Sequence, residues 1–384
     1  MQFAINYSTR VLFGEGVSGK TGESLKEYGV KKVLCVYDQG IKSSGIADKI
    51  IQNIKEKNIA VVEFDGVIPD PPVKTIDEAA ELARKENVDA VIGIGGGSSM
   101  DAAKAVNVLL GNPGSIRTYL DMGVPQKPGK IVFAIPTTAG TGSEVTGVAV
   151  ISNKETDLKQ GVAGPNFTAK LAIIDPELML GLPPALTAAG GMDAFSHAVE
   201  AYTGMMNNPM SDILALEAIS LITKYLPIAV KDGSNIEARS KMSFASTIAG
   251  MSFNDALVHL GHSVAHSMGV LYNLPHGVGC GLATPIAIEY LSDHFPERIR
   301  NIGKAMGLTL KDDLSNDNLS TAVAEAVRGM NKEIGLPAFK SLGFDEDELP
   351  KLAHQTTRDV CWMLLPKKIE EKEVLRLIQK EYSM

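Results

Sequence analysis

Two hydrophobic periods divide the chain. Up to about residue 175, short runs of β-branched and aliphatic residues recur between turn-forming clusters. Residues 9–13 (TRVLF), 31–37 (KKVLCVY), 60–64 (AVVEF), 89–94 (DAVIGI), 131–135 (IVFAI), 147–152 and 171–174 predict strands. Between them, apolar positions at helical spacing predict helices over about 44–57, 73–87 and 100–110, and Pro69, Pro71 and Pro72 break the chain. Strands that alternate with helices predict a mostly parallel sheet covered on both faces. After Asp175-Pro176 and Gly181-Leu182-Pro183-Pro184 the strand pattern stops. Helical periods then run over about 185–189, 191–204, 209–229, 236–252, 255–271, 279–291, 296–306, 318–333, 346–358 and 370–381. Ser211, followed by Asp212, reads as the cap of the long apolar helix SDILALEAISLITKYL. The expected organisation is an α/β N-terminal domain, residues 1–181, and an all-α C-terminal domain, residues 182–384, with ligands in the cleft where they meet.

Composition narrows the class. The 384 residues are 45% apolar and 21% charged, the balance of an ordinary soluble globular protein. A net charge of −8 without a basic stripe argues against nucleic acid as a partner. The first residues, MQFAINYSTR, lack the apolar core of a secretory signal, and no apolar run reads as a membrane span. Cys35, Cys280 and Cys361 lie far apart and form no CxxC pair, which predicts a reduced, cytoplasmic setting.

The chemistry concentrates between residues 190 and 276. Asp193 and His197 are four apart, so a helix stacks them on one face; His262 and His266 repeat that spacing, and His276 follows in the turn-like Leu274-Pro275-His276-Gly277. Four of the seven histidines fall between 259 and 276. A carboxylate and several imidazoles drawn from two helices and a loop suit a divalent metal of borderline softness. Spacing alone does not choose among His259, His262 and His266.

Three loops in the first half suit a nucleotide. Gly95-Gly96-Gly97-Ser98-Ser99 follows a strand and opens a helix, the general form of a phosphate cradle. Its fit to the dinucleotide fingerprint is partial: it follows the fourth or so strand, and no acid sits about twenty residues later after another strand. Asp38 ends an early strand, where a carboxylate can take both ribose hydroxyls. In PTTAGTGSE (136–144), Thr137, Thr138, Thr141 and Ser143 offer hydroxyls while Gly140 and Gly142 allow close backbone approach.

These motifs resemble those of the iron-containing (group III) alcohol dehydrogenases, whose relatives include glycerol dehydrogenase and dehydroquinate synthase. The likeness rests on GGGSSMDAAK (95–104), PTTAGTGSEVT (136–146), DPEL (175–178) with GLPP (181–184), GGMDAFSHAVEAY (190–202), and GHSVAHSMG with PHG (261–277). It covers nearly the whole chain. The resemblance implies dehydroquinate synthase-like architecture, NAD(H) in the cleft, and one divalent metal, Fe2+ with Zn2+ as the alternative. It places the metal on Asp193, His197, His262 and His276. It places the cofactor on Asp38, Gly96, Gly97, Ser98, Asp101, Thr137, Thr138, Thr141, Ser143 and Lys159. The implied reaction is hydride transfer between a small primary alcohol, or its aldehyde, and the nicotinamide. A polyol or diol dehydrogenase is the alternative, and a dehydroquinate synthase-like lyase a more distant one, since few basic residues flank 190–204 or 252–277. His266, one turn past His262, is the candidate proton relay, because imidazole titrates near neutral pH. A homodimer or higher homo-oligomer is expected. Cys361 stands where many members carry a cysteine near the nicotinamide end. There the chain departs from the family: asparagine-proline-arginine is replaced by Trp362-Met363-Leu364-Leu365-Pro366-Lys367.

Overall fold

The structure, a computed structural model, describes residues 2–120, 124, 126–153 and 158–384. The chain forms two compact units, Tyr7–Leu180 and Gly181–Met384, and residues 2–6 belong with the second. That assignment corrects the expectation that the N-terminus lies in the α/β domain. Its cause is Asn6, whose backbone N–H and Nδ2 donate to the Asp255 carboxylate at 3.0–3.3 Å.

The first unit runs β1 (Arg10–Phe13), α1 (Thr21–Glu27), β2 (Lys32–Asp38), α2 (Gln39–Ser43), α3 (Ile46–Glu56), β3 (Ala60–Val67), α4 (Val73–Lys85), β4 (Ala90–Gly95), α5 (Gly97–Gly111), β5 (Ile131–Pro136), β6 (Val148–Asn153), β7 (Leu158–Ala163) and β8 (Leu171–Ile174). Six strands form an all-parallel sheet in the order β1-β8-β5-β4-β2-β3. The central strands β2, β4 and β5 are buried nearly throughout, as apolar runs covered on both faces must be. One core, with Ile50, Ile54, Ile92 and Phe133, lies on one face; another, with Ile76, Ala103, Val106 and Phe167, lies on the other.

Three local readings change. The segment near 147–152 does not join the sheet; as β6 it forms an antiparallel hairpin with β7. The pattern near 44–57 is the single helix α3, and the short α2 before it, which the period did not mark, is separated from it by Gly45 in a left-handed conformation (φ 74°). Helix α1 was not marked by the hydrophobic period at all.

The second unit is helical: α6 (Pro184–Thr203), α7 (Pro209–Lys231), α8 (Ile236–Ala256), α9 (Leu260–Tyr272), α10 (His276–Tyr290), α11 (Pro296–Ala305), α12 (Asn316–Glu333), α13 (Leu349–Thr356) and α14 (Glu371–Tyr382). The two patterns at 185–204 are one helix. Helix α7 starts from Asn208, whose side chain accepts from the Met210 and Ser211 backbone, while Ser211 returns a bond to the Asn208 N–H. Ser211 is therefore the third helical residue of a capping box, not the cap. By length and composition α7 could cross a membrane, which corrects the expectation that no apolar run is long enough to do so. One stripe, Ala215, Ala218, Ile219, Ile222 and Leu226, is buried, while Met210, Ile213 and Ile228 on the same helix are exposed.

Candidate metal centre

Helix α6 carries Asp193 and His197 one turn apart, both buried. Helix α9 brings His262, and α10 opens on His276. The imidazole Nε2 atoms of His276, His197 and His262 lie 3.3, 3.7 and 3.8 Å from Asp193 Oδ1. Donors about 2.1 Å from a tetrahedral cation stand about 3.4 Å apart, so the spacings to Asp193 are compatible with a shared cation; the donors that lie within 4.8 Å of one another are Asp193, His262, His276 and Cys280. The close approach of α10 to α6 depends on Gly277, where a Cβ would lie 2.1 Å from the Ala189 carbonyl oxygen.

The electrostatics agree with that fit. Burial pushes the Asp193 carboxyl up, but His197, His276 and His262 together outweigh it and hold the group well below the usual carboxylate range. Burial, aided by His262 and His276, drives His197 down to about 3 against the pull of Asp193, so the ring stays neutral and able to ligate. Glu200, fully buried, makes a 2.6 Å bond to His262 Nδ1. Burial raises the Glu200 carboxyl, yet His262 and His259 hold it ionised, so it can only accept. His262 Nδ1 then donates to Glu200, which leaves its Nε2 facing Asp193 Oδ1.

The other histidines separate on geometry. His259 Nε2 bonds Thr203 Oγ1 at 2.9 Å, and its backbone N–H donates to Glu200 Oε2, so it stands outside the donor set. His266 stacks on His276 with ring centres 5.2 Å apart and bonds Asp359 Oδ2 through Nδ1 at 3.0 Å. Burial raises the Asp359 carboxyl, but the His266 charge and hydrogen bond and the Cys361 N–H prevail and lower it. The carboxylate orients the ring through its contact with Nδ1. Phe253 stacks on His197 at 4.2 Å. The departing segment after Cys361 is pinned to α10, since the Lys367 N–H donates to the Tyr290 hydroxyl at 2.9 Å.

Sequence reasoning missed Glu200, Asp359 and Cys280. Glu200 lies seven residues past Asp193, two turns along the same face, and that spacing could have found it. Cys280 sits four residues past His276 on α10, with its sulfur 3.5 Å from His276 Nε2 and 3.6 Å from Asp193 Oδ1. Nothing local marks Asp359.

In the α/β unit, β2 and β4 flank the point where the strand order reverses, which is where ligands bind in open parallel sheets. The loops after β2, β4 and β5 leave the same sheet edge side by side. Asp38 Oδ1 accepts the Ile41 N–H at 2.9 Å and caps α2. Gly96 is the cap of α5, and a Cβ on Gly97 would meet Thr141 Cγ2 at 2.6 Å, so the glycine and threonine loops touch. Thr138 lies against Gly96, the Thr137 N–H donates to the Gly95 carbonyl, and Ser98 Oγ accepts the Asp70 N–H. Asp101 and Ser143 turn inward: Ser143 Oγ donates to Asp101 at 2.5 Å and accepts from the buried Lys104 at 2.8 Å. Lys159 stands opposite Ser152 on β7; its side chain is outside the described atoms.

A parallel sheet with a glycine-rich loop at its switch point, together with a helical unit holding a buried Asp–His cluster, defines a nucleotide- and metal-dependent enzyme class. Comparison with known proteins names the family. The family model "Iron-containing alcohol dehydrogenase" matches residues 8–176, and "Fe-containing alcohol dehydrogenase family, C-terminal" matches residues 187–382. The chain is 36% identical over 374 residues to an NAD-dependent methanol dehydrogenase of Bacillus methanolicus, covering 96% of this chain and 97% of that one. It is 36% identical over 373 residues to a 1,3-propanediol dehydrogenase of Citrobacter freundii, covering 96% of each. A crystal structure of a 1,3-propanediol oxidoreductase superposes with a TM-score of 0.95 at 34% identity, covering 99% of this chain and 100% of that one. The chain belongs to the iron-containing alcohol dehydrogenase family. Membership makes it an NAD-dependent alcohol dehydrogenase, which interconverts alcohols and aldehydes, and implies a divalent metal.

Proposed function

We propose that the enzyme acts on a small primary alcohol and its aldehyde, with Fe2+ held by Asp193, His197, His262 and His276. The convergence of three imidazole nitrogens on Asp193 Oδ1 carries this reading. Bound there, a divalent cation supplies Lewis acidity to the substrate oxygen. The chain supplies the rest. Glu200 fixes the His262 tautomer, and Phe253 braces the His197 ring. His266, oriented by Asp359, accepts at Nε2 the proton that the alcohol gives up and passes it toward solvent. The Asp38, Gly96–Ser98 and Thr137–Thr141 loops would hold the dinucleotide, whose nicotinamide would supply the hydride chemistry. Lys159 is assigned to the ribose side, and Asp101 and Ser143 brace the loops from behind.

Anaerobic reconstitution with Fe2+ or Zn2+, followed by NADH absorbance on a panel of primary alcohols and 1,3-diols, tests substrate and metal together. A preference for diols would select the polyol reading. Activity without any divalent metal would refute the site. For the relay, His266→Gln should keep its metal and lose roughly ten- to a thousandfold in kcat, with an altered pH profile. A variant with normal turnover and an unchanged profile ends that role.

We also assign the chain to the cytoplasm as a homodimer or higher homo-oligomer. Its three cysteines form no disulfide, and Met205, Met206 and Ile213 are each at least 60% exposed, as an interface would use them. Sedimentation velocity checks the assembly, and a monomer would refute it.

A further inference from the structure

The donor atoms that lie closest to one another at this centre are not the four the family pattern names. Asp193, His262, His276 and Cys280 each offer an atom within 4.8 Å of all the others. Cys280 Sγ lies 3.5 Å from His276 Nε2, 3.6 Å from Asp193 Oδ1 and 4.0 Å from His262 Nε2. In a tetrahedral shell with a metal–sulfur bond of about 2.3 Å and metal–nitrogen or metal–oxygen bonds of about 2.1 Å, the edges to sulfur are about 3.6 Å. The observed distances bracket that value.

The placement is built by the helix. His276 is the first residue of α10, and Cys280 follows one turn later, so both side chains leave the same face. Asp193/His197 on α6 and His262/His266 on α9 have the same spacing. Three helices thus direct i, i+4 pairs of chemistry-bearing residues toward one region. Cys280 is fully buried, and its neighbours Gly279 and Gly281 let α10 pack tightly on both sides: a Cβ on Gly279 would meet Ala265 at 3.2 Å, and one on Gly281 would meet Leu336 at 2.5 Å.

We propose that Cys280 is a metal ligand, its sulfur bound to the cation that Asp193, His262 and His276 hold, in the place the reading above gives to His197, which is not among the donors within 4.8 Å of one another; the substrate oxygen then enters as a fifth ligand. The proposal rests on the reading of this cluster as a divalent-metal site. On coordination the thiol proton leaves to solvent and a sulfur lone pair forms the new bond; nothing is oxidised or reduced. A sulfur donor makes the centre softer than one of nitrogen and oxygen alone. It favours Zn2+ and Co2+ over Mg2+ and Mn2+.

Cobalt reports sulfur directly. Wild-type protein reconstituted anaerobically with Co2+ should bind one ion per chain and show an intense sulfur-to-cobalt charge-transfer band in the near ultraviolet. Cys280→Ser, which keeps size and shape, should keep visible ligand-field bands, lose the charge-transfer band, and bind Zn2+ at least roughly tenfold more weakly in chelator competition. One bound cobalt without the band in the wild type, or a band that persists in Cys280→Ser, overturns the proposal and leaves the metal site standing. Failure of the wild type to bind cobalt, or equal binding by His276→Ala, overturns the metal reading and this proposal with it. Should Cys280→Ser not fold, zinc X-ray absorption on the wild type decides alone. A sulfur scatterer at about 2.3 Å supports the ligand, and a shell of nitrogen and oxygen only refutes it.

Discussion

At the scale of single residues, the centre depends on groups that never touch the metal. Glu200 is buried and makes polar contacts to Ser196 Oγ, to His262 Nδ1, to the backbone N–H groups of His259 and His262, and to His259 Nδ1 at 3.4 Å. Replacing it by Gln removes the charge that selects the His262 tautomer. Metal affinity in Glu200→Gln should fall by roughly 10–100-fold, as read by chelator competition; unchanged affinity would show that His262 is held by packing alone. Lys104 is the corresponding support in the α/β unit. Its ammonium donates to Ser143, Thr146 and the Val148 carbonyl and lies 3.7 Å from Asp101. Lys104→Met leaves the buried Asp101 without its cation and should cost roughly 3–5 kcal/mol at pH 7 by urea unfolding. Burial pushes the Lys104 amine down to about 8, against the pull of Asp101 and Glu144. Its folded value is below the ordinary 10.5, so between those limits the unfolded chain binds more protons, and stability rises with pH. The wild type should gain on Lys104→Met between pH 8 and 10.5. A constant difference across that window would mean the amine is not perturbed.

Among elements, the decisive contact is α10 against α6. His276 can reach Asp193 only because Gly277 lets the start of α10 come down on the Ala189 carbonyl. Ala at 277 suits a helix, so local propensity predicts a small gain. Packing predicts the reverse, since backbone on both sides resists a 2.1 Å contact. Gly277→Ala should lower the melting temperature and reduce bound metal together. Full metal content with raised stability would show that α10 shifts without moving His276. Both i, i+4 pairs on α6 and α9 were legible in the chain because helix geometry is local. His276 read as part of a turn, since Pro275 precedes it; Pro275 in fact stands just before the first turn of α10. That misreading hid the third pair, because a cysteine four residues past a turn has no fixed direction.

On the scale of the molecule, the parallel order puts Asp38 and the α5 glycine loop on either side of the switch between β2 and β4. A carboxylate there can hold two ribose hydroxyls and repels a 2′-phosphate. Asp38→Gly should narrow or reverse the preference for NAD over NADP in kcat/KM, at a cost of only a few tenths of a kcal/mol in capping α2. A wild type that prefers NADP, or a variant with the same ratio, would remove Asp38 from the ribose.

The alternation of strands and helices, the helical second half and the pairing of Asp193 with His197 were set by periods of two and 3.6 residues. Such periods need no partner to be read. The tertiary structure alone decided the rest. It took β6 out of the sheet, because edge pairing depends on which strand arrives beside it. It turned Asp101 and Ser143 inward to each other and Lys104. It sent His259 to Thr203, His262 to Asp193, and His266 to Asp359, 93 residues away. These choices follow from helix crossings and from the small residues that let helices touch. They couple positions too far apart in the chain for any local pattern to record.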